Sequence, residues 1–215
     1  MTITRVHLLR HGEVHNPRGV LYGRLPGYGL SERGQAMALR VAETVADRDI
    51  IHVGSSPLQR AQETAAPVAR QLELEIVTDD RVIEAENVFE GLTLGAGARS
   101  LVHPRHWKHL RNPFRPSWGE PYDEQVVRMR AAMDDVAEEV AGHEAVIVSH
   151  QLPIWVTRLA VEGRRLWHDP RKRECSLASL TTFTYEDDAI VSVAYSEPAA
   201  DLLPAKPGAT FSAGA

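Results

Sequence analysis

The residues best suited to chemistry sit where apolar runs break. The run RVHLL (residues 5–9) ends in Arg10-His11-Gly12, and IIHVGS (50–55) ends in Gly54-Ser55-Ser56 with Arg60 one turn further on. VIVS (146–149) ends at His150. A guanidinium can grip an oxyanion with two parallel N–H groups, and an imidazole can donate a hydrogen bond or attack. Two arginines and two histidines delivered from separate strand ends therefore suit a phosphate dianion. Any one of them alone reads equally well as a structural residue. Together they point to an anion site, although spacing alone does not name the reaction.

For those ends to meet, their strands must lie side by side, because open α/β sheets bind ligands beyond the carboxyl ends of their strands. The intervening segments have helical patterns. LSERGQAMALRVAETVAD (30–47) is opened by Ser31 and spaces Met37, Val41 and Val45 at i, i+4. SPLQRAQETAAPVARQL (56–72) starts with a cap-then-proline signature at Ser56-Pro57, and LEIV (74–77) reads as a short strand. In YDEQVVRMRAAMDDVAEEVAG (122–142), Val126, Met129, Met133, Val136 and Val140 form one stripe, with Gly142 as the stop. EAVIVSH (144–150) is a buried strand, a helix follows over 153–162, and SLTTFTY (179–185) with AIVSVAY (189–195) forms a hairpin. This alternation predicts a three-layer α/β/α sandwich with a largely parallel central sheet, in a single domain over residues 1–196. Residues 92–121 lose periodicity and predict an inserted cap, and 197–215 form a Pro/Ala/Gly-rich tail with little to bury.

Composition narrows the partners. Twenty-four Lys and Arg against 29 Asp and Glu give a net charge of −5, with no basic run, so nucleic acid is not an expected partner. No apolar run reaches the length of a membrane span, and the N-terminus lacks the apolar core of a signal peptide. The single cysteine, Cys175, excludes an internal disulfide, fits a cytoplasmic setting and reads as a packed small residue. A homodimer is left open. No Gly-x-Ser-x-Gly elbow, Gly-x-Gly-x-x-Gly turn or P-loop is present. His103, His106 and His109 recur every third residue, but Pro104 interrupts them and no carboxylate or cysteine is in register, so no metal is expected there. That segment reads either as contacting the non-reacting part of a substrate or as packing its tryptophans over the sheet edge.

The motifs also occur in a familiar order. LLRHGEV resembles the Arg-His-Gly signature of the histidine phosphatase (phosphoglycerate mutase-like) superfamily, and LSERGQAMA resembles its following helix. SSPLQRAQETA, RVIEAENVFEG, WGEPYDE and VIVSH are similar to the family's later segments, in family order. The resemblance implies that His11 is a nucleophile forming a phosphohistidine, with Arg10, Arg60 and His150 completing the phosphoryl pocket. It also implies that Glu84 protonates the leaving oxygen, with Glu86 as the alternative. Fixed arginines can balance the charge of a transferring phosphoryl group, so neither metal nor other cofactor is implied.

Departures from the pattern refine the expectation. Asn16 stands five residues after His11, where the family commonly has Asn six after, and the resemblance implies a phosphate contact from Asn16 despite that one-residue offset. Gln151-Leu152-Pro153 follow His150 where Gly-Gly is common, and EAENVFEG lacks the Glu-Arg-His-Tyr-Gly stretch of glycolytic mutases. The expected activity is therefore removal of phosphate from a small phosphomonoester, with a phosphomutase as the alternative. A non-catalytic binder of phosphorylated ligands is a third reading, disfavoured because a binder needs no nucleophile and acid together.

Overall fold

The computed structural model describes residues 2–93 and 118–203. Six strands form one sheet in the order β3-β2-β4-β1-β5-β6. They are β1 (Ile3–Arg10), β2 (Ile50–Ser55), β3 (Ile76–Thr78), β4 (Glu144–Ser149), β5 (Leu180–Glu186) and β6 (Ala189–Ser196). β1, β2, β3 and β4 are mutually parallel where they pair, while β5 and β6 add an antiparallel edge. The sheet is thus mixed, and the hairpin extends the parallel part beyond β1.

Strand alternation divides the core into two layers. Leu9, Val146 and Val148 face α1 (Glu32–Val45) and α2 (Gln59–Leu72), burying Met37, Val41, Ala65 and Val68 against the sheet. Val6, Leu8, Ala145 and Ile147 face the other way, onto Met129, Met133 and Val136 of α3 (Tyr122–Glu139) and Ile154 of α4 (Gln151–Val161). Each inward-pointing set recurs every second strand residue and meets a stripe spaced at three or four on a helix, which is what the two backbone geometries require. The result is helices on both faces of one sheet.

The winding sets where a ligand can bind. From β1 the chain steps past β4's position to β2 and β3, then returns through α3 to lay β4 between β1 and β2. The carboxyl ends of β1, β4 and β2 consequently open side by side, at the point where strand order reverses. Backbone hydrogen bonds lace them there: His11 N–H donates to the Ser149 carbonyl (3.1 Å) and Ser56 N–H to the Val148 carbonyl (2.9 Å).

One helix start differs from its sequence signal. Ser31 caps α1 as expected, accepting from Gly34 N–H at 3.0 Å. Ser56-Pro57 does not cap α2, which begins at Gln59 after an N-cap Leu58 with no side-chain bond. The Ser56 hydroxyl is drawn instead toward His150. Most of the expected 92–121 cap, including His103, His106 and His109, lies outside the described residues, as does the tail beyond 203.

Candidate active site

Arg10, His11, Arg60, Glu84 and His150 converge at the three strand ends, each no more than 2% exposed. Arg10 ends β1 with His11 directly after it, and His150 leads from β4 into α4 in extended conformation. Arg60, in the first turn of α2, lies over the Tyr22 ring at 4.7 Å. One of its nitrogens, Nη2, donates to the Gly23 carbonyl (2.7 Å) and to His150 Nδ1 (3.2 Å). Glu84 follows a short 3-10 turn, Asp80–Val82, which Ser149 Oγ tethers to the end of β4 by donating to the Val82 carbonyl at 2.7 Å. Arg24 Nε then donates to the Glu84 carbonyl at 2.7 Å, so the acid's backbone is fixed from both sides.

The partners fix each imidazole's proton. His11 Nδ1 lies 2.8 Å from the Gly12 carbonyl, which can only accept, so Nδ1 carries the hydrogen and Nε2 keeps its lone pair. His150 Nδ1 faces the Arg60 guanidinium, which can only donate, so its hydrogen is on Nε2, 2.8 Å from Ser56 Oγ. Burial, reinforced by the charges of Arg60 and Arg10, holds His11 well below the usual histidine range. Burial together with Arg60 does the same for His150. Both rings are therefore neutral near pH 7, and His11 presents a bare nitrogen.

The charged groups are arranged for an anion. Arg10 Nη1 donates to the Cys175 carbonyl at 2.7 Å, but Arg10 Nε and Nη2 and Arg60 Nε are buried with no partner among the described residues. Buried donors normally have acceptors, and three such N–H groups around one imidazole fit the oxygens of a phosphoryl group. Glu84 accepts from Ala85 N–H through Oε1 (2.9 Å), while Oε2 is buried with no partner among the described residues. Burial raises Glu84 above the ordinary glutamate range despite the opposing field of Arg60. The group can thus hold a proton to give. Glu86 has a side chain 70% exposed and ion-paired to Arg24 at 2.9 Å, so of the two carboxylates only Glu84 lies among the buried arginines.

Other expected residues fall elsewhere. Asn16 gives both ends of its amide to Val20, donating to the carbonyl at 2.8 Å and accepting from the N–H at 3.0 Å, which closes the 16–20 turn. Cys175 is buried, and burial pushes its thiol up to about 11, so it is a packed, unreactive group. Among the described residues no group of three or more His, Cys, Asp and Glu side chains is disposed to hold a metal ion, and no helix is long and apolar enough to cross a membrane.

Several site residues carried no separate sequence signal. Tyr22 backs Arg60, and Thr64 Oγ1 accepts from Gly12 N–H (3.1 Å) while donating to the Arg60 carbonyl (2.7 Å). Ser56 stood in the strand-end run but read as a helix cap. Gln151 stands where the glycine pattern was expected, and its side chain donates to the Cys175 carbonyl (3.2 Å) and accepts from Arg173 (3.2 Å).

Residues 6–198 match the histidine phosphatase superfamily (branch 1). The chain belongs to that superfamily. Within the histidine phosphatase superfamily it is 57% identical over 197 residues to an uncharacterized protein of Mycobacterium tuberculosis, covering 92% of this chain and 98% of that one. It is 33% identical over 186 residues to the "Probable phosphoglycerate mutase" of Yersinia enterocolitica, covering 81% and 83% of the two chains. The structure of a mycobacterial glucosyl-3-phosphoglycerate phosphatase superposes with a TM-score of 0.72 at 24% identity, covering 90% of this chain and 97% of that one. That last likeness establishes the fold.

Proposed function

We propose that this histidine phosphatase hydrolyses a small phosphomonoester, without a metal ion, through a phosphohistidine on His11. The observation that carries the reading is the bare, neutral Nε2 of His11 beside the unpartnered N–H groups of Arg10 and Arg60. In the first step Nε2 attacks phosphorus as the ester P–O bond breaks. Arg10 and Arg60 hold the equatorial oxygens, and His150 orients Arg60 by accepting from its Nη2. Glu84 gives its proton to the departing alkoxide, which leaves as the alcohol. In the second step the Glu84 carboxylate takes a proton from water as the water oxygen attacks phosphorus. The P–N bond breaks, inorganic phosphate departs and both His11 and Glu84 return to their starting states. The guanidinium groups supply the positive charge that phosphoryl transfer needs.

The test is phosphate release from an aryl phosphate with a chelator present. Sustained turnover is expected. Activity that vanishes with chelator and returns with a divalent cation overturns the reading, and phosphate appearing on a second substrate hydroxyl in place of free phosphate makes the enzyme a mutase.

A further inference from the structure

Arg173 is a third cation at this site that the hydrolytic steps do not use. It lies on the segment before β5, partly buried, close enough to Glu84 and Arg10 for their charges to act on it. Its guanidinium is rigidly held. Nε donates to His168 Nε2 at 2.8 Å, and Nη1 donates to Gln151 Oε1 at 3.2 Å. His168 suits that role, because its Nδ1 lies 2.6 Å from the Leu166 carbonyl and therefore carries the hydrogen, which leaves Nε2 free to accept. Burial pushes His168 down to about 4, so it stays neutral and does not compete with Arg173 as a cation. Gln151 also donates to the Cys175 carbonyl that Arg10 grips, tying Arg173 to the phosphoryl pocket through one carbonyl oxygen.

The charge count shows what this arrangement lacks. The neighbouring cations Arg24 and Arg128 are matched by Glu86 and Glu120, and Arg158 by Glu162 and Glu174. Among the described residues no carboxylate forms an ion pair with Arg173, whose two anchors are both neutral. A phosphate dianion balances Arg10 and Arg60, and a protonated Glu84 adds no negative charge. One positive charge is left over, a short distance from the acid that meets the leaving group. Holding a guanidinium partly out of water beside like charges is unfavourable unless an anion joins it. Nη2, with the second hydrogen of Nη1, forms a fork matched to a carboxylate.

We propose that Arg173 is a specificity-determining residue that binds a carboxylate on the leaving-group side of the substrate, so that the preferred substrates are phosphorylated carboxylic acids. This rests on the phosphoryl pocket assigned above. The surplus of one charge favours a carboxylate over a second phosphate dianion.

Non-hydrolysable ligands separate the two readings. Phosphonoacetate, 3-phosphonopropionate and 4-phosphonobutyrate would each be titrated calorimetrically at pH 7 into the full chain, against the alkylphosphonate of equal carbon number. At least one carboxylate is expected to tighten binding about tenfold over its uncharged partner in the wild type, in keeping with a charge-assisted hydrogen-bonded pair. That ratio should fall to near one in Arg173→Gln and recover in part in Arg173→Lys. Any general weakening of the phosphate pocket by the substitution cancels in the ratio. Equal affinity of both ligand series for the wild type, or a ratio that survives in Arg173→Gln, overturns the assignment of Arg173 alone. Failure of both series to bind overturns the phosphoryl pocket and the carboxylate subsite with it.

Discussion

The ring centroids of His11 and His150 lie 5.2 Å apart with their planes inclined at 57°, and the two imidazoles are held in opposite tautomers. His11 carries its hydrogen on Nδ1 and His150 on Nε2. The difference comes from the hydrogen-bond partners: a carbonyl at one ring, a guanidinium and a serine hydroxyl at the other. Two neutral rings can share a buried space beside Arg10 and Arg60, whereas two imidazolium ions would add like charge to like charge. Among the described residues, the lone pair on His11 Nε2 has no hydrogen-bond partner.

A phosphoryl group should therefore be trapped on His11 and nowhere else. Acid-sensitive label from a phosphorylated substrate, quenched under denaturing alkaline conditions, is expected in the wild type and absent in His11→Ala. Turnover of that variant should fall by on the order of 10³-fold or more, since the covalent route is lost outright. Label retained in His11→Ala moves the nucleophile to another residue.

The pH profile should be set by two groups displaced toward each other. His11 is lowered from 6.5, so the nucleophile becomes available as pH rises through a value below 6.5. Glu84 is raised from 4.5, so the proton donor is lost as pH rises through a value above 4.5. Activity on an alkyl phosphate should climb on the acid side and decline on the basic side. In Glu84→Gln the decline should disappear, because an amide does not titrate, and kcat should drop by about 10²–10⁴-fold for this poor leaving group. An unchanged basic limb in Glu84→Gln assigns the acid elsewhere.

The site was legible wherever a local signal and a strand end coincided. Arg10-His11 and His150 interrupt apolar runs, and the β-α alternation obliges those ends to share one side of the sheet. Ser31 was readable for the same reason, as a cap three residues before Gly34 whose geometry is local. Ser56 has the same local look, yet its hydroxyl meets a histidine 94 residues away, a contact that helix-start patterns do not encode. Arg173 and Tyr22 reach the site only through tertiary folding and stand in no periodic pattern. Glu84 and Glu86 differ in burial, which two carboxylates two residues apart do not reveal in sequence. Asn16 shows the converse: its residue type fits a phosphate contact, while its amide is taken by its own turn.

Ser56 should act as a positioning residue. Removing its hydroxyl leaves the buried Nε2–H of His150 without an acceptor, a loss of roughly 1–3 kcal/mol if nothing replaces it. The ring is then free to turn, and Arg60 loses a defined partner at His150 Nδ1. Ser56→Ala is expected to lower kcat/KM by roughly tenfold and to weaken inhibition by inorganic phosphate in parallel. A purely structural role would lower the melting temperature and leave the phosphate inhibition constant where it was.

Gly34 offers a case where two physical effects oppose each other within α1. Alanine is preferred over glycine inside a helix by about 1 kcal/mol, so propensity alone makes Gly34→Ala stabilising. A Cβ at that position, however, would run into the backbone carbonyl oxygen of Glu13, and a Cβ on Gly12 would come within 2.6 Å of the Gly34 carbonyl oxygen. Both obstacles are main chain and cannot swing aside, unlike the tip of a long side chain. The two glycines let the start of α1 sit directly on the turn that carries His11. Forcing them apart should cost roughly 1–3 kcal/mol, which outweighs the propensity gain. Gly34→Ala is thus expected to be destabilised in urea titration. Its kcat should also fall, because the displaced Gly12 carbonyl is the group that keeps the hydrogen on His11 Nδ1. A variant more stable than the wild type, with kcat unchanged, would show that the turn can yield without disturbing the nucleophile.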